Sequence, residues 1–147
     1  MILINPMSPH DAILQFVKNW MRLLAEHRTD DACALIDEPN SYGIEWTSVR
    51  IWQIVNETFS PDTRFYTVHP EGPVISDPFE IDEHSEAEVI ELEGGGGYAF
   101  DYTLPLNGEW SDLTAQFEFY KRFDGYAVVL NDFTYYEGST TANECAL

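Results

Sequence analysis

Between Phe65 and Tyr120 the chain has no lysine and no arginine, while those 56 residues carry thirteen Asp or Glu side chains. Cations are scarce throughout: seven Lys and Arg face 26 Asp and Glu, a formal charge of −19. Nucleic acid is thereby disfavoured as a partner, because phosphates are neutralised by Lys and Arg. An anionic membrane surface is disfavoured for the same reason. No apolar run approaches the roughly 18 residues needed to cross a bilayer. Cysteine is also sparse, with Cys33 in a predicted helix and Cys145 three residues from the C-terminus. Their spacing matches no zinc pattern, and Met1-Ile-Leu-Ile-Asn-Pro6 lacks the positive n-region and cleavage pattern of a signal peptide. The expectation is a cytoplasmic protein with free thiols.

Two kinds of site are missing from the pattern. His10, His27, His69 and His84 show no i, i+4 pairing. Asp82-Glu83-His84 comes nearest to a metal set, but adjacent residues of an extended chain point to opposite faces. There is no Asp-x-Asp-x-Asp-Gly loop either. The run Gly94 to Gly97 is not followed by Lys-Ser/Thr or by a helix start, so it is a hairpin tip and not a phosphate cradle. No metal and no cofactor is expected.

What is present is the material of a core. Hydrophobic residues make up 44% of the chain, with four Trp, eight Tyr and nine Phe. That is too aromatic for a disordered acidic segment, so the charge decorates a folded body. We expect one domain over residues 1–137 and a small, polar, flexible tail over 138–147.

The first third reads as helical. Ser8-Pro9-His10-Asp11 supplies an N-cap residue, a proline at N1 and an early acid. Ile13, Phe16, Val17, Trp20 and Leu24 then form one apolar stripe at helical spacing. A short second helix is expected from Asp30 or Asp31 through Ile36, stopped by Pro39. A third is expected from Thr47 to about Phe59, with Ile51, Trp52, Val55 and Phe59 inward.

The remainder reads as strands. Arg64 to His69 is a short β-rich run, and Ala87 to Leu92 alternates imperfectly. Tyr98, Phe100, Tyr102 and Leu104 alternate with Ala99, Asp101 and Thr103, a period of two. Asn107-Gly108 signals a hairpin. Leu113, Ala115, Phe117 and Phe119 continue the alternation on the partner strand, and Asp124-Gly125 signals a second hairpin. The last strand, Tyr126 to Tyr136, is apolar on both faces in its first half and is expected at the centre of the sheet. Helices first and an antiparallel meander afterwards define an α+β fold, with N-terminal helices packed on a curved, mainly antiparallel sheet.

This pattern resembles the NTF2-like superfamily, a cone-shaped sheet wrapped around helices. The resemblance rests on the opening helix Ile13–Leu24, the short helix Asp31-Ala-Cys-Ala-Leu-Ile36 and the closing pair Trp110–Phe119 and Gly125–Tyr135. It departs from the pattern in having three helices before the main sheet and a long acidic region over residues 70–97. Within the superfamily it looks most like the immunity proteins that bacteria encode beside polymorphic toxins, which neutralise a toxin domain by binding it. The resemblance implies a non-enzymatic inhibitor whose acidic surface occludes the basic active site of a toxin, such as a nuclease. Asp82, Glu83, Glu86, Glu88, Glu91, Glu93, Trp110 and Asp112 are the candidate partner-binding residues. The acids steer a basic protein, and exposed aromatics, among Trp46, Tyr42, Trp110 and Tyr136, anchor it. A homodimer through the sheet is a further expectation.

The alternative implied by the same superfamily is a small-molecule-binding protein or an isomerase- or hydratase-type enzyme. Its base would be an Asp inside the cone, Asp101 or Asp132, with Asp112 also considered and Tyr98, Tyr102 and Tyr126 as donors. Desolvation raises the pKa of a carboxylate in such a place and makes it a competent base. Asp101, however, falls on the strand face opposite Tyr98, Phe100 and Tyr102.

Overall fold

The alternation in the second half of the chain is realised as a four-stranded antiparallel meander of order β1-β2-β3-β4. Its strands are β1 (Val89–Glu91), β2 (Gly97–Leu106), β3 (Glu109–Arg122) and β4 (Gly125–Tyr135). The helices α1 (Pro9–Ala25), α2 (Thr29–Ala34), α3 (Ser48–Glu57) and α4 (Arg64–Val68) precede it. The computed structural model describes residues 1–59, 64–82 and 88–135, with the Arg64 side chain excepted. The expected tail over 138–147, with Tyr136 and Cys145, lies outside the described residues. The sheet is open, and the coarse architecture is α+β as the patterning predicts.

The helical stripe forms the core's other wall. Ile13, Val17, Trp20, Met21 and Leu24 of α1 are fully buried, against Phe100, Leu104, Phe117 and Phe119 from the sheet. Trp20 packs edge-on to Phe117 at 5.1 Å between ring centres and donates Nε1–H to the Ala32 carbonyl at 3.0 Å, which ties α1 to α2. A left-handed His27 (φ 60°) ends α1. There the amides of His27 and Arg28 turn back to the carbonyls of Leu24 and Leu23, a helix stop that usually uses glycine. Thr47 caps α3 by accepting from the Arg50 amide.

Three details differ from expectation. The Arg64 to His69 run is helical over Arg64–Val68 (α4) despite its β-branched and aromatic composition. Phe65 stacks on Phe59 at 4.2 Å and meets His69 one helical turn on at 5.0 Å. Tertiary aromatic packing thus overrides a weak local preference. The second hairpin places Phe123-Asp124 in its two-residue loop, since Arg122 pairs with Gly125. The first hairpin is as expected, with Asn107 and Gly108 both at positive φ.

The third difference is β4, which stands at the end of the strand order and not at its centre. Its outward edge is nonetheless used up. Ile2 and Tyr126 exchange N–H···O bonds at 3.0 and 2.8 Å. The Asp37 amide donates to the Val128 carbonyl, and its carboxylate accepts the Val128 amide, both at 2.8 Å. Trp46 Nε1–H donates to the Leu130 carbonyl and the Asn40 side-chain amide to that of Asn131. On the face away from the helices, Tyr120 and Glu118 stand opposite Ala127 and Val129, joined by a Tyr120 O–H···Glu118 bond of 2.8 Å. An edge strand covered this way tolerates apolar residues on both faces.

Candidate protein-binding surface

The candidate acids fall into two groups at opposite ends of the sheet. Glu88 precedes β1, Glu91 ends it, and Glu93 opens a 3-10 turn, Glu93–Gly95, before β2. All three are exposed. Glu83 and Glu86 lie outside the described residues. Asp82 is exposed and sits at the other end of the sheet, where its carbonyl accepts Trp110 Nε1–H at 2.7 Å. Asp112, on β3, is exposed too. The two ends are roughly 20 Å apart along β2 at the rise of an extended strand. None of Asp82, Glu88, Glu91, Glu93 and Asp112 is in a salt bridge among the described residues.

The aromatic candidates divide. Tyr42 is 80% exposed, whereas Trp46 is buried at 9% with its N–H spent on Leu130. Trp110 is half-buried and packs edge-on to Tyr102 at 5.3 Å. It fastens the Asp82 segment and is not a free anchor. Sequence reasoning missed Phe123, fully exposed in the β3–β4 loop.

The acid-only stretch is less uniform in space than in sequence. Lys18 and Arg22 of α1 reach over the Phe79 ring at 4.6 and 4.1 Å, and Arg22 Nε lies 3.6 Å from Asp77. The Lys121 amide donates to the Gly96 carbonyl. Cations from outside the stretch thus stand near residues 77–79. Among the described residues the carboxylates of Glu88, Glu91 and Glu93 have no salt-bridge partner.

A cleft of about 390 Å³ lies between β1 and the start of α1, lined by Pro6, Pro9, His10, Glu88, Val89, Glu91 and Tyr98. His10 sets its ring edge-on to Phe100 at 6.3 Å. Nothing in the sequence pattern places His10 beside Glu88 and Glu91; the packing of α1 on the sheet does. The Tyr98 phenol is held above its ordinary pKa, chiefly by burial and then by Tyr126 and Glu91. A second cleft of about 230 Å³ lies on the other face of β1, lined by Glu88, Ile90, Ala99, Phe100 and Asp101.

The carboxylates weighed as bases are elsewhere than inside the sheet. Asp101, Asp112 and Asp132 are all exposed. The helix-facing side is filled by Trp20, Phe100, Tyr102, Phe117 and Phe119. Asp101 does have a raised pKa, from burial and from Glu118, opposed by a hydrogen bond to Gln116. A carboxyl whose pKa is raised by folding contributes stability below its unfolded pKa and loses it as pH rises through the folded value. Asp101→Asn, which keeps an acceptor for Gln116, is therefore expected to raise the melting temperature at pH 7 and to leave it unchanged near pH 3. An equal change at both pH values contradicts this account.

No protein-family model, curated protein or solved structure matches the chain. Among the described residues no helix is long and apolar enough to cross a membrane, and no cluster of three or more His, Cys, Asp or Glu side chains is arranged to hold a metal ion. Cys33 is free, its thiol pushed up by burial and by Asp30.

Proposed function

We propose that the protein is an NTF2-like, cytoplasmic immunity protein: a stoichiometric inhibitor that occludes the basic active site of a bacterial toxin domain with its acidic surface. The observation that carries this reading is the row Glu88, Glu91 and Glu93, exposed along one side of the sheet and, among the described residues, without salt-bridge partners. Unpaired carboxylates of one sign speed the approach of an oppositely charged protein and reject like-charged ones. An enzyme acting on an anionic substrate has the matching positive cleft. The filled helix-facing side and the exposure of Asp101 and Asp132 favour binding over catalysis by an enclosed base. No residue performs chemistry in this mechanism; the field guides encounter and the covered surface blocks the toxin.

The test is capture of the partner from source cells, followed by association kinetics with the Glu88→Lys, Glu91→Lys, Glu93→Lys triple variant. Association at low ionic strength is expected to slow by about tenfold or more, with a flatter salt dependence. Co-expression with the captured protein is expected to restore growth only for the unreversed chain. An unchanged association rate at low salt overturns the proposal, as does a partner with an acidic contact surface.

A further inference from the structure

The two edges of the sheet are treated in opposite ways. Along β4, outward backbone groups from Tyr126 to Asn131 are taken by Ile2, Asp37, Asn40 and Trp46. Along β1 no such cover exists among the described residues. The pairing shows which groups are left over. Ile90 stands opposite Ala99, and the Leu92 amide bonds the Gly97 carbonyl. In an antiparallel ladder, hydrogen-bonded residues recur at every second position. Ile90 therefore bonds inward to β2, and the amides and carbonyls of Val89 and Glu91 point away from the sheet.

Those outward groups border the two clefts already described, one on each face of β1. Residues of a strand laid beside β1 would alternate between them. The helix-side cleft offers Pro6, Pro9, Val89 and Tyr98 to an apolar stem, with Glu88 and Glu91 at its rim. The other offers Ile90, itself 59% exposed, and Ala99, with Glu88 and Asp101 at its rim. Both faces suit a side chain with an apolar stem and a cationic head, which is what Lys and Arg provide. Natural sheets often guard an open edge with lysine, proline or a bulge; among its described residues this one carries the carboxylates of Glu88 and Glu91. They repel a second copy of this chain, which carries −19, but not a cationic strand.

We propose that the open edge of β1 accepts an extended, lysine- or arginine-bearing segment of the partner protein as a fifth strand. Main-chain bonds to Val89 and Glu91 supply affinity, and the two acidic clefts select alternate cationic side chains. This rests on the reading of the protein as a binder of a basic partner and adds the mode of docking.

The probe is a capped nine-residue peptide alternating Lys and Val, with a Glu/Val peptide as control. Hydrogen exchange on the intact chain is expected to show the Val89 and Glu91 amides slowed about tenfold or more by the Lys peptide, with Ile90 unchanged. Glu91→Gln removes one charge and keeps the amide, whereas Glu91→Pro removes the outward N–H and leaves the inward Ile90 pair intact. Peptide affinity is expected to fall a few-fold for Gln and at least about tenfold for Pro. Binding without protection of the two amides overturns the inference, as do equal losses in the two variants or no binding at about 1 mM peptide. Protection that grows with protein concentration and needs no peptide assigns the edge to a second copy and also overturns it. Loss of association on charge reversal, with Gln and Pro alike, sinks strand addition but leaves the acidic-surface reading standing. The exchange result on the unaltered chain decides the matter should the Pro variant fail to fold.

Discussion

Gly97→Ala is expected to destabilise the protein by about 3 kcal/mol or more, enough to unfold a marginally stable chain. Gly97 begins β2 at φ +153°, and a β-carbon there would stand 1.9 Å from the Phe119 carbonyl oxygen and 2.9 Å from its carbon. Both atoms are backbone in β3, where Phe119 is paired with Tyr98. No side-chain rotation relieves the overlap; β2 and β3 have to separate at their best-paired end. The neighbouring Gly96 is the control. Its φ is −79° and nothing lies within 4 Å of an added β-carbon. Gly96→Ala is expected to be neutral or to stabilise by up to about 1 kcal/mol, through the unfolded chain. Urea midpoints of the two variants make the comparison. Equal midpoints contradict the close approach at Gly97.

Trp20→Ala is expected to cost about 4 kcal/mol, in the range for emptying a large aromatic site. Trp20 is fully buried and joins three elements: its own helix, α2 through the Ala32 carbonyl, and β3 through Phe117. Trp20→Phe separates volume from hydrogen bonding. Phenylalanine keeps most of the ring and loses the N–H. The Ala32 carbonyl also accepts the Leu35 amide, so it is not left without a donor. The Phe variant should therefore lose only about 1–2 kcal/mol. Chemical denaturation monitored by circular dichroism reads both. A Phe variant as damaged as the Ala variant would show that the hydrogen bond, and not packing, holds α1 to α2.

The parts of the fold legible in the sequence are those governed by local period or a single turn. The α1 stripe, the alternation of β2 and β3 and the Asn107-Gly108 hairpin each follow from residues a few positions apart. The run Phe65-Tyr66-Thr67-Val68 misled because its β preference is small beside the stacking of Phe65 on Phe59. The apolar faces of β4 misled for a related reason. Double-sided burial reads as a central strand, yet an edge covered by Ile2, Asp37, Asn40 and Trp46 meets the same demand. The candidate site was legible as composition only. The acids were visible; the edge at Val89 and Glu91, uncovered among the described residues, and the contribution of His10 were not.

The sequence by itself determined the sign and size of the field, the face of each long strand that meets the core, and the helix-then-meander order. Charge is additive along a chain, and periodicity is a local property, so neither needs the fold to be known. Tertiary structure alone decided where the field is left unpaired. Lys18 and Arg22, distant in sequence, come back over Phe79 and Asp77, while Glu88, Glu91 and Glu93 lie beside an edge whose outward backbone groups have no cover among the described residues. Which charges meet depends on how α1 packs across the sheet, and which edge is covered depends on where Ile2, Asp37, Asn40 and Trp46 come to lie, long-range geometry that no window of sequence contains.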